Sequence, residues 1–393
     1  MQRYSTPVLQ SIVSFFIFFN ANAVLAVEPA AIPLGEMNLY PSLNFATGHD
    51  DNILATETGE QSSGITRITP NFLLEAETNN ALYRLNYSLE KGILHSSNAD
   101  NYLDHNLTGT ANIIGNSRNR IDLRFSTIKG HEARGDETGS ATATDAPLEF
   151  DLNSLQAIYT YGGEQAKGQV ELRASYEDKN FTNFSSITDS RDYDKISFGA
   201  QFNYRITAKT SALFQATQSK IDYDSSNKDN TNRRFLVGAT WDATAKTSGT
   251  IKVGWGEKDF KDSALKDTDG GTWDASINWN PRTYSTFIFS TGQEFGESTT
   301  ADSHIDTSNY GVNWSHYWKD NFKTTISYTL VNEDFSGSTQ EDDDTKTLLV
   351  GINHETRRWL NLGLGYTMID KDSNITGASF KKNILMFTIQ GAL

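Results

Sequence analysis

The sequence contains no cysteine, only seven prolines and no long hydrophobic run after its first 26 residues. The lack of cysteine excludes a disulfide scaffold, an iron–sulfur cluster and any zinc site built on thiolates. An excess of 49 acidic over 34 basic residues argues against a nucleic-acid binder, since phosphate contacts need clustered Lys and Arg. The mean hydropathy of -0.51 excludes a helical membrane protein. It does not exclude a membrane β-barrel, whose strands are apolar only at alternate residues.

The first 26 residues have the order of a cleavable export signal. One early charge, Arg3, is followed by the apolar run 12–19 and then by the small residues of 21–26. The apolar run is too short to span a bilayer as an anchor. We therefore predict a signal peptide over residues 1–26, cleaved after Ala23 or Ala26, and a single domain over residues 27–393.

The remaining sequence alternates between apolar and polar residues with a period of two. In the segment 361–368, Leu362, Leu364, Tyr366 and Met368 share one face, and polar residues or glycines share the other. Such alternation is typical of β-strands, and no convincing amphipathic helix is present. The fold class predicted is therefore all-β.

About 18 such segments can be counted, and the connections between them alternate in length. The long connections are predicted at residues 47–63, 93–101, 130–148, 178–191, 222–232, 258–271, 296–307, 334–345 and 370–379. This alternation is typical of an up-and-down, antiparallel outer-membrane barrel with short periplasmic turns and long extracellular loops. Because the first and last connections are both long, we expect both termini on the periplasmic side.

Three observations favour a membrane barrel over a soluble one. Eighteen strands enclose a space ~35 Å across, which side chains cannot fill. The polar faces are rich in Asn, Ser, Thr, Gly, Arg and Glu, which suit a wet lumen. Aromatic residues lie on or near the apolar faces, many toward strand ends, as an interfacial girdle requires: Trp241, Trp255, Trp273, Trp279, Trp314, Trp318, Tyr83, Tyr159, Tyr161 and Tyr204.

If the apolar face meets lipid, charged residues of both signs point into the lumen. The predicted solute-contacting set is Arg67, Glu75, Arg84, Glu90, Asp122, Arg124, Glu171, Arg173 and Glu177. Fixed charges let a pore sort solutes by sign. We hypothesise that Arg67, Arg84, Arg124 and Arg173 form a cationic strip for an anionic or polar glycan. The alternative is that these arginines only pair with neighbouring carboxylates and fill the lumen.

The long connections are acidic, with clusters at Asp50–Asp51, Asp136–Glu137, Asp267 and Asp269, and 341–344. Such clusters can hold divalent cations or can simply be solvated, and the spacing leaves both open. The seven histidines show no metal-ligand spacing, and no glycine-rich phosphate cradle is present. We expect no cofactor, no resident metal and no enzymatic activity.

The opening strand, residues 39–45, and the following Gly48-His49-Asp50-Asp51-Asn52-Ile53 resemble the start of the "putative β-barrel porin 2" family. The resemblance then spans the mature chain as a pattern of strands. It implies a porin-like outer-membrane barrel that passes exopolysaccharide across the membrane. It also implies outer-membrane lipid and lipopolysaccharide as surroundings and a periplasmic or inner-membrane export partner.

Three functions remain open from the sequence. The first is a channel for exopolysaccharide export, and the second is a general diffusion porin for small solutes. The third is a structural or adhesion barrel whose lumen is occluded and whose loops bind a surface ligand.

Overall fold

The computed structural model describes residues 31–135, 144–244, 246–298, 303–337 and 340–392. The predicted signal peptide, residues 1–26, lies outside these residues, as does the acidic pair Asp136–Glu137. Within the described ranges, no helix has the length and apolar character needed to cross a membrane.

The described chain is built almost entirely of β-strands, as the period of two predicts. The strands are β1 Ile32–Leu34, β2 Met37–Asp50, β3 Ser63–Glu77, β4 Ala81–Leu94, β5 Tyr102–Asn116, β6 Asn119–Glu132, β7 Leu148–Tyr161, β8 Gly168–Phe181, β9 Tyr193–Thr207, β10 Thr210–Tyr223, β11 Asn230–Thr244, β12 Thr247–Phe260, β13 Thr268–Arg282, β14 Ser285–Glu297, β15 His304–Lys319, β16 Phe322–Ser336, β17 Asp342–Arg357, β18 Leu360–Ser373 and β19 Phe380–Ala392. A one-turn helix, α1 (Ser185–Thr188), and 3-10 turns at Asn98–Asp100 and Asp189–Arg191 lie in loops.

Strands β2 to β19 form one closed barrel of 18 antiparallel strands. Each strand pairs with the next along the chain, and β19 returns to pair with β2 from Ile384↔Asp50 to Ala392↔Ser42. The prediction of an up-and-down barrel of 18 strands is confirmed. The short strand β1 was not predicted. It folds back on β2, where Ile32 pairs with Leu39, and covers the part of β2 that β19 does not reach.

The two faces of each strand have the predicted character. The apolar residues point outward and are exposed, as in Leu155, Phe198 and Val253. Tyr161, Trp279 and Trp318 lie on this outer face close to the short-turn end of the barrel. A lipid-facing apolar band with an aromatic border follows from the same alternation that puts polar side chains inside.

The connections alternate in length, so the barrel has a short-turn end and a long-loop end. The short-turn end holds both β1 and the last residues of β19. The shortest connection there comprises residues 117–118, and the longest comprises residues 162–167. At the long-loop end the shortest connection comprises residues 337–341, and the longest comprises residues 133–147.

The sequence overestimates the long loops, because several strands continue into the segments predicted as loops. Asp50 is the last residue of β2, Asp269 lies in β13 and Asp342–Asp344 open β17. These residues were placed wrongly in loops, whereas their neighbours Asp51, Asp267 and Glu341 do lie in loops. Polar residues on both faces near a strand end hide the period of two, so a strand end looks like a loop.

Candidate functional site: the barrel lumen

The interior of the barrel is one continuous cavity of about 2070 Å³ to which every strand from β2 to β19 contributes. Its lining includes Asp122 and Thr250 toward the short-turn end, and Lys228 at the long-loop end. Inward-facing side chains therefore decide which solutes this space can accept.

All nine predicted contact residues lie on the inner face of the wall. The pairs Glu75↔Arg84 and Arg84↔Thr110↔Arg124 put three of them in one row across β3 to β6. Seven line the cavity directly: Arg67, Glu90, Asp122, Arg124, Glu171, Arg173 and Glu177. Glu75 and Arg84 lie closer to the short-turn end on the same face.

Three of the four arginines proposed as a cationic strip have carboxylate partners. Arg84 Nε lies 2.8 Å from Glu75 Oε2, and Arg67 Nε lies 3.9 Å from Glu90 Oε1. Arg173 is paired with Glu171 on its own strand. Arg124 has no ion pair among the described residues, so it is the one of the four whose charge no carboxylate partner neutralises.

The predicted carboxylates also accept hydrogen bonds from neutral neighbours. The Tyr102 hydroxyl donates to Glu90 at 2.7 Å, Asn112 Nδ2 donates to Asp122 at 2.6 Å, and the Tyr193 hydroxyl donates to Glu177 at 2.8 Å. This network fixes the carboxylates against the wall.

A second charged region, which was not predicted, lies on β10 to β14. Arg234 and Lys252 face the lumen, and Lys252 Nζ lies 3.2 Å from Asp274 Oδ1. Both were detectable from the sequence, because they alternate with the apolar residues Phe235, Val237, Ile251 and Val253.

The inner face of β15 to β18 is instead largely uncharged and hydroxyl-rich along much of its length. Thr329 and Thr347 are register partners at its centre. Seven cavity-lining residues of these strands carry a hydroxyl or an amide and form what we call the hydroxyl wall: Thr307, Asn309, Ser327, Thr329, Thr345, Thr347 and Thr367. Apolar side chains, among them Val331 and Leu349, lie between them. The lumen thus has a charged side and a neutral, hydrogen-bonding side. Asp343 and Lys371, with 2.6 Å between Oδ2 and Nζ, pair at the long-loop end of the neutral side.

One strand end leaves the wall and enters the lumen. The ladder between β13 and β14 ends at Trp273↔Gln293, while residues 268–272 still pair with β12 and residues 294–297 still pair with β15. The two strands therefore separate toward the long-loop end. We call residues 294–297 with the start of β15, 304–306, the deep flap.

Glu297 shows where the deep flap lies. Its carboxylate is ion-paired with Lys258 of β12 and accepts hydrogen bonds from the Tyr223 hydroxyl at 3.0 Å and Asn230 Nδ2 at 3.0 Å. Strands β10 and β14 are about 19 Å apart along a regular wall, farther than a Tyr and a Glu side chain span together. The outer face of the deep flap is therefore stacked on the inner face of β10 to β12.

Two further side chains, Phe295 and Arg234, hold the deep flap in this position. The Phe295 ring lies over Gly256 and Gly270, which are register partners, and a Cβ at position 256 would come within 3.1 Å of the ring. The Arg234 guanidinium occupies the point where β13 and β14 separate. It donates to Thr272 Oγ1 at 2.9 Å and to the carbonyl oxygens of Trp273 and Gln293 at 3.0 and 3.3 Å.

A smaller strand separation lies between β5 and β6. Their ladder ends at His105↔Lys129, and β6 continues with β7 alone to Glu132↔Leu148. His131 Nδ1 lies 2.9 Å from Asp104 Oδ1, and its ring stacks on Tyr102 with 3.8 Å between centroids. Because Tyr102 and Asp104 face inward, this end of β6, the shallow flap (residues 130–132), also overlaps the inside of its neighbour.

The described part of the β6–β7 loop continues the shallow flap across the mouth. Arg134 Nε donates to Asp100 Oδ1 at 2.6 Å, a bond that raises the pKa of the guanidinium. Gly135 has a φ of 86°, and a Cβ there would lie 2.0 Å from the carbonyl oxygen of Leu54. Only glycine fits this approach. At least this part of the loop therefore folds inward.

A model of the family described as "Putative beta-barrel porin 2" matches residues 26–392. The chain belongs to this family. The expected resemblance is confirmed over nearly the whole sequence, and the protein is an outer-membrane, porin-like β-barrel. No curated protein is significantly similar to it.

Solved structures of outer-membrane channels share the fold. OpdK of Pseudomonas aeruginosa has a TM-score of 0.53 at 10% identity, with 90% of this chain and 99% of that chain covered. OccK3 (OpdO) of the same organism has a TM-score of 0.51 at 11% identity, with 90% and 96% covered. A further OpdK structure contains vanillate and has a TM-score of 0.51 at 10% identity, again with 90% and 99% covered. At these identities the likeness concerns the fold alone.

Proposed function

We propose that this barrel conducts polysaccharide outward across the outer membrane. The observation that carries the proposal is the two-sided lumen, in which the hydroxyl wall of β15 to β18 faces a wall of mostly paired charges. Thr, Ser and Asn both donate and accept hydrogen bonds, as sugar hydroxyls do. A neutral polar surface of this kind lets a glycan exchange hydrogen bonds along its path without being held by strong charge.

The cavity-lining residues of the charged wall contact the glycan in this proposal. Arg67, Arg173 and their carboxylate partners offer local dipoles, whereas Arg124 offers an unpaired positive charge for an acidic sugar. The long loops are extracellular and both termini are periplasmic, where an export partner of the periplasm or inner membrane delivers the polymer. Outer-membrane lipid and lipopolysaccharide surround the apolar band.

The experiment is conductance of the purified protein in planar bilayers, followed by addition of neutral and acidic polysaccharides of graded length. The proposal expects ion flux that these polymers block from the short-turn side. It also expects weaker block in T329V/T347V, a double variant that removes the hydroxyls of two register partners from the hydroxyl wall. The matched control is T127V, on the outer face of β6.

A general porin for small solutes is the second candidate, and the two flaps that narrow the long-loop end favour it. In that case small sugars and ions pass freely and polymers do not block the current. The T329V/T347V variant then behaves like the wild type. A protein that inserts but never conducts would instead favour the structural or adhesion role.

A further inference from the structure

Residues 268–272 of β13 and 294–297 of β14, which do not pair across the β13–β14 ladder, could extend that ladder. Continuing their register beyond Trp273↔Gln293 places Thr272 opposite Glu294, Gly270 opposite Gly296 and Thr268 opposite Ser298. Neither segment contains proline, so no residue lacks the backbone N–H that such a ladder needs at alternate positions. The same sequence therefore fits two arrangements of this part of the wall.

The alternative arrangement agrees with the alternation of side chains along β14. If the ladder continued, Phe295 would point outward, on the face that carries Phe287 and Phe289. Glu294 and Gly296 would line the lumen. Glu297 would face outward opposite Asp269, at the long-loop end. Up to Gly296 the strand therefore has the alternation of a wall strand, although its end lies inside the barrel.

The observed arrangement has its own set of specific contacts. The Glu297 carboxylate accepts hydrogen bonds from β10, β11 and β12, the Phe295 ring lies on two facing glycines, and Arg234 binds the carbonyl oxygens at the branch point. Packed structures of this kind switch between discrete states rather than deforming continuously. In the observed state side chains bind the freed carbonyl oxygens of Trp273, Gln293 and Gly296, and in the alternative state the ladder would take their place.

We propose that the deep flap is a gate. In the closed state it lies over β10 to β12 and narrows the lumen. In the open state residues 294–298 pair with residues 268–272, the wall is complete and the mouth is wider. Glu297 is the latch of the closed state, and Arg234 marks the hinge. This inference rests on the proposed channel function, because it assigns the element that controls passage.

A cysteine pair tests the movement without any transport assay, in a chain that has no native cysteine. The variant T268C/S298C places the two thiols on facing residues of the open ladder, within the Cα separation that a disulfide accepts. In the closed state, Lys228 Nζ donates to the carbonyl oxygen of Ser298 at 3.0 Å, which holds that residue over β10 and β11. Stacked layers lie about 10 Å apart, too far for the bond.

Disulfide formation is followed in outer membranes under mild oxidation by gel mobility and mass spectrometry. The proposal expects T268C/S298C to cross-link slowly, and severalfold faster when E297Q removes the latch charge. The variant A275C/T291C, a pair within the existing ladder, must cross-link readily and shows that oxidation works. The variant E333Q, which removes a different lumen carboxylate, must not accelerate the reaction.

Conductance before and after reduction then tests the gate itself. Cross-linked T268C/S298C is expected to show a larger single-channel conductance than the reduced form, and E297Q a severalfold higher open probability than the wild type. If A275C/T291C cross-links and T268C/S298C does not, even with E297Q, the flap is fixed and the gate is wrong. Cross-linking without any change in conductance also overturns it. A barrel that cross-links but conducts nothing in either state contradicts the channel function, not the movement.

Discussion

The two flaps are built on the same principle but differ in depth. At the deep flap five residues of β13, 268–272, no longer pair with β14, and a half-buried arginine and a half-buried glutamate hold the displaced end. At the shallow flap only residues 102–104 of β5 have no partner on β6, and one histidine, on Tyr102 and Asp104, secures the overlap. A longer interruption exposes more backbone groups, so it requires more side chains to satisfy them.

The largest expected effect comes from the arginine at the branch point of the deep flap. In R234M the carbonyl oxygens of Trp273 and Gln293 lose a charged donor in a half-buried place, so we expect a loss of about 3 kcal/mol in the free energy of unfolding. The measurement is equilibrium denaturation in detergent, followed by tryptophan fluorescence.

The neighbouring residue gives the control for that prediction. Arg233 is ion-paired with Asp259 at 2.5 Å, but both side chains are more than a third exposed. R233M should cost no more than about 1 kcal/mol. Equal losses for the two variants would mean that the branch point is not specially stabilised.

A second prediction concerns the glycine under the Phe295 ring. G256L fills the space of the ring and displaces it from its packed position, at an expected cost of about 2 kcal/mol. G271L is the matched variant, because a Cβ at 271 meets nothing within 4 Å. It should unfold like the wild type in the same denaturation experiment, and a large loss there would contradict the packing argument.

A substitution in the shallow flap should lower the free energy of unfolding by less than one in the deep flap. H131F keeps the ring on Tyr102 but removes the bond to Asp104, so we expect a loss of about 1 kcal/mol. H49F, on the outer face of β2, serves as the reference substitution in the same urea titration. A loss at His131 as large as that at Arg234 would remove the distinction between the flaps.

The smallest effect on stability is expected at the arginines of the charged wall, where selectivity changes instead. R124Q removes a charge that has no ion pair among the residues described, whereas R84Q removes one that Glu75 already neutralises. Reversal potentials in a salt gradient should therefore shift toward cation preference more in R124Q than in R84Q. The opposite order would show that pairing does not set the field in the lumen.

The barrel itself was predictable, because lipid and water on opposite faces impose the period of two on every strand. The same pattern predicts an inner-face position for Arg67, Glu90 and Arg124, and all three line the cavity. It did not give their partners, since alternation fixes a face but not which residues of adjacent strands face each other across the ladder.

The flaps could not be predicted from alternation. By parity Phe295 and Glu297 belong to the lipid-facing side of β14, and only the separation of β13 from β14 turns that side toward the lumen. The signals that exist are indirect: glycines at 256 and 270 on facing strands, and a glutamate at an apolar position near a strand end. Neither has meaning until the register is known.

The positions of the two flaps also affect the outline of the mouth. They begin at β6 and at β14, and they lie over β5 and over β10 to β12. An opening narrowed at two separate parts of its rim is no longer round. Such an opening admits a flat ring more easily in one orientation than in others and hinders a threaded chain from turning about its own axis. Anything that passes this mouth with the deep flap in its observed position does so in a preferred rotational setting.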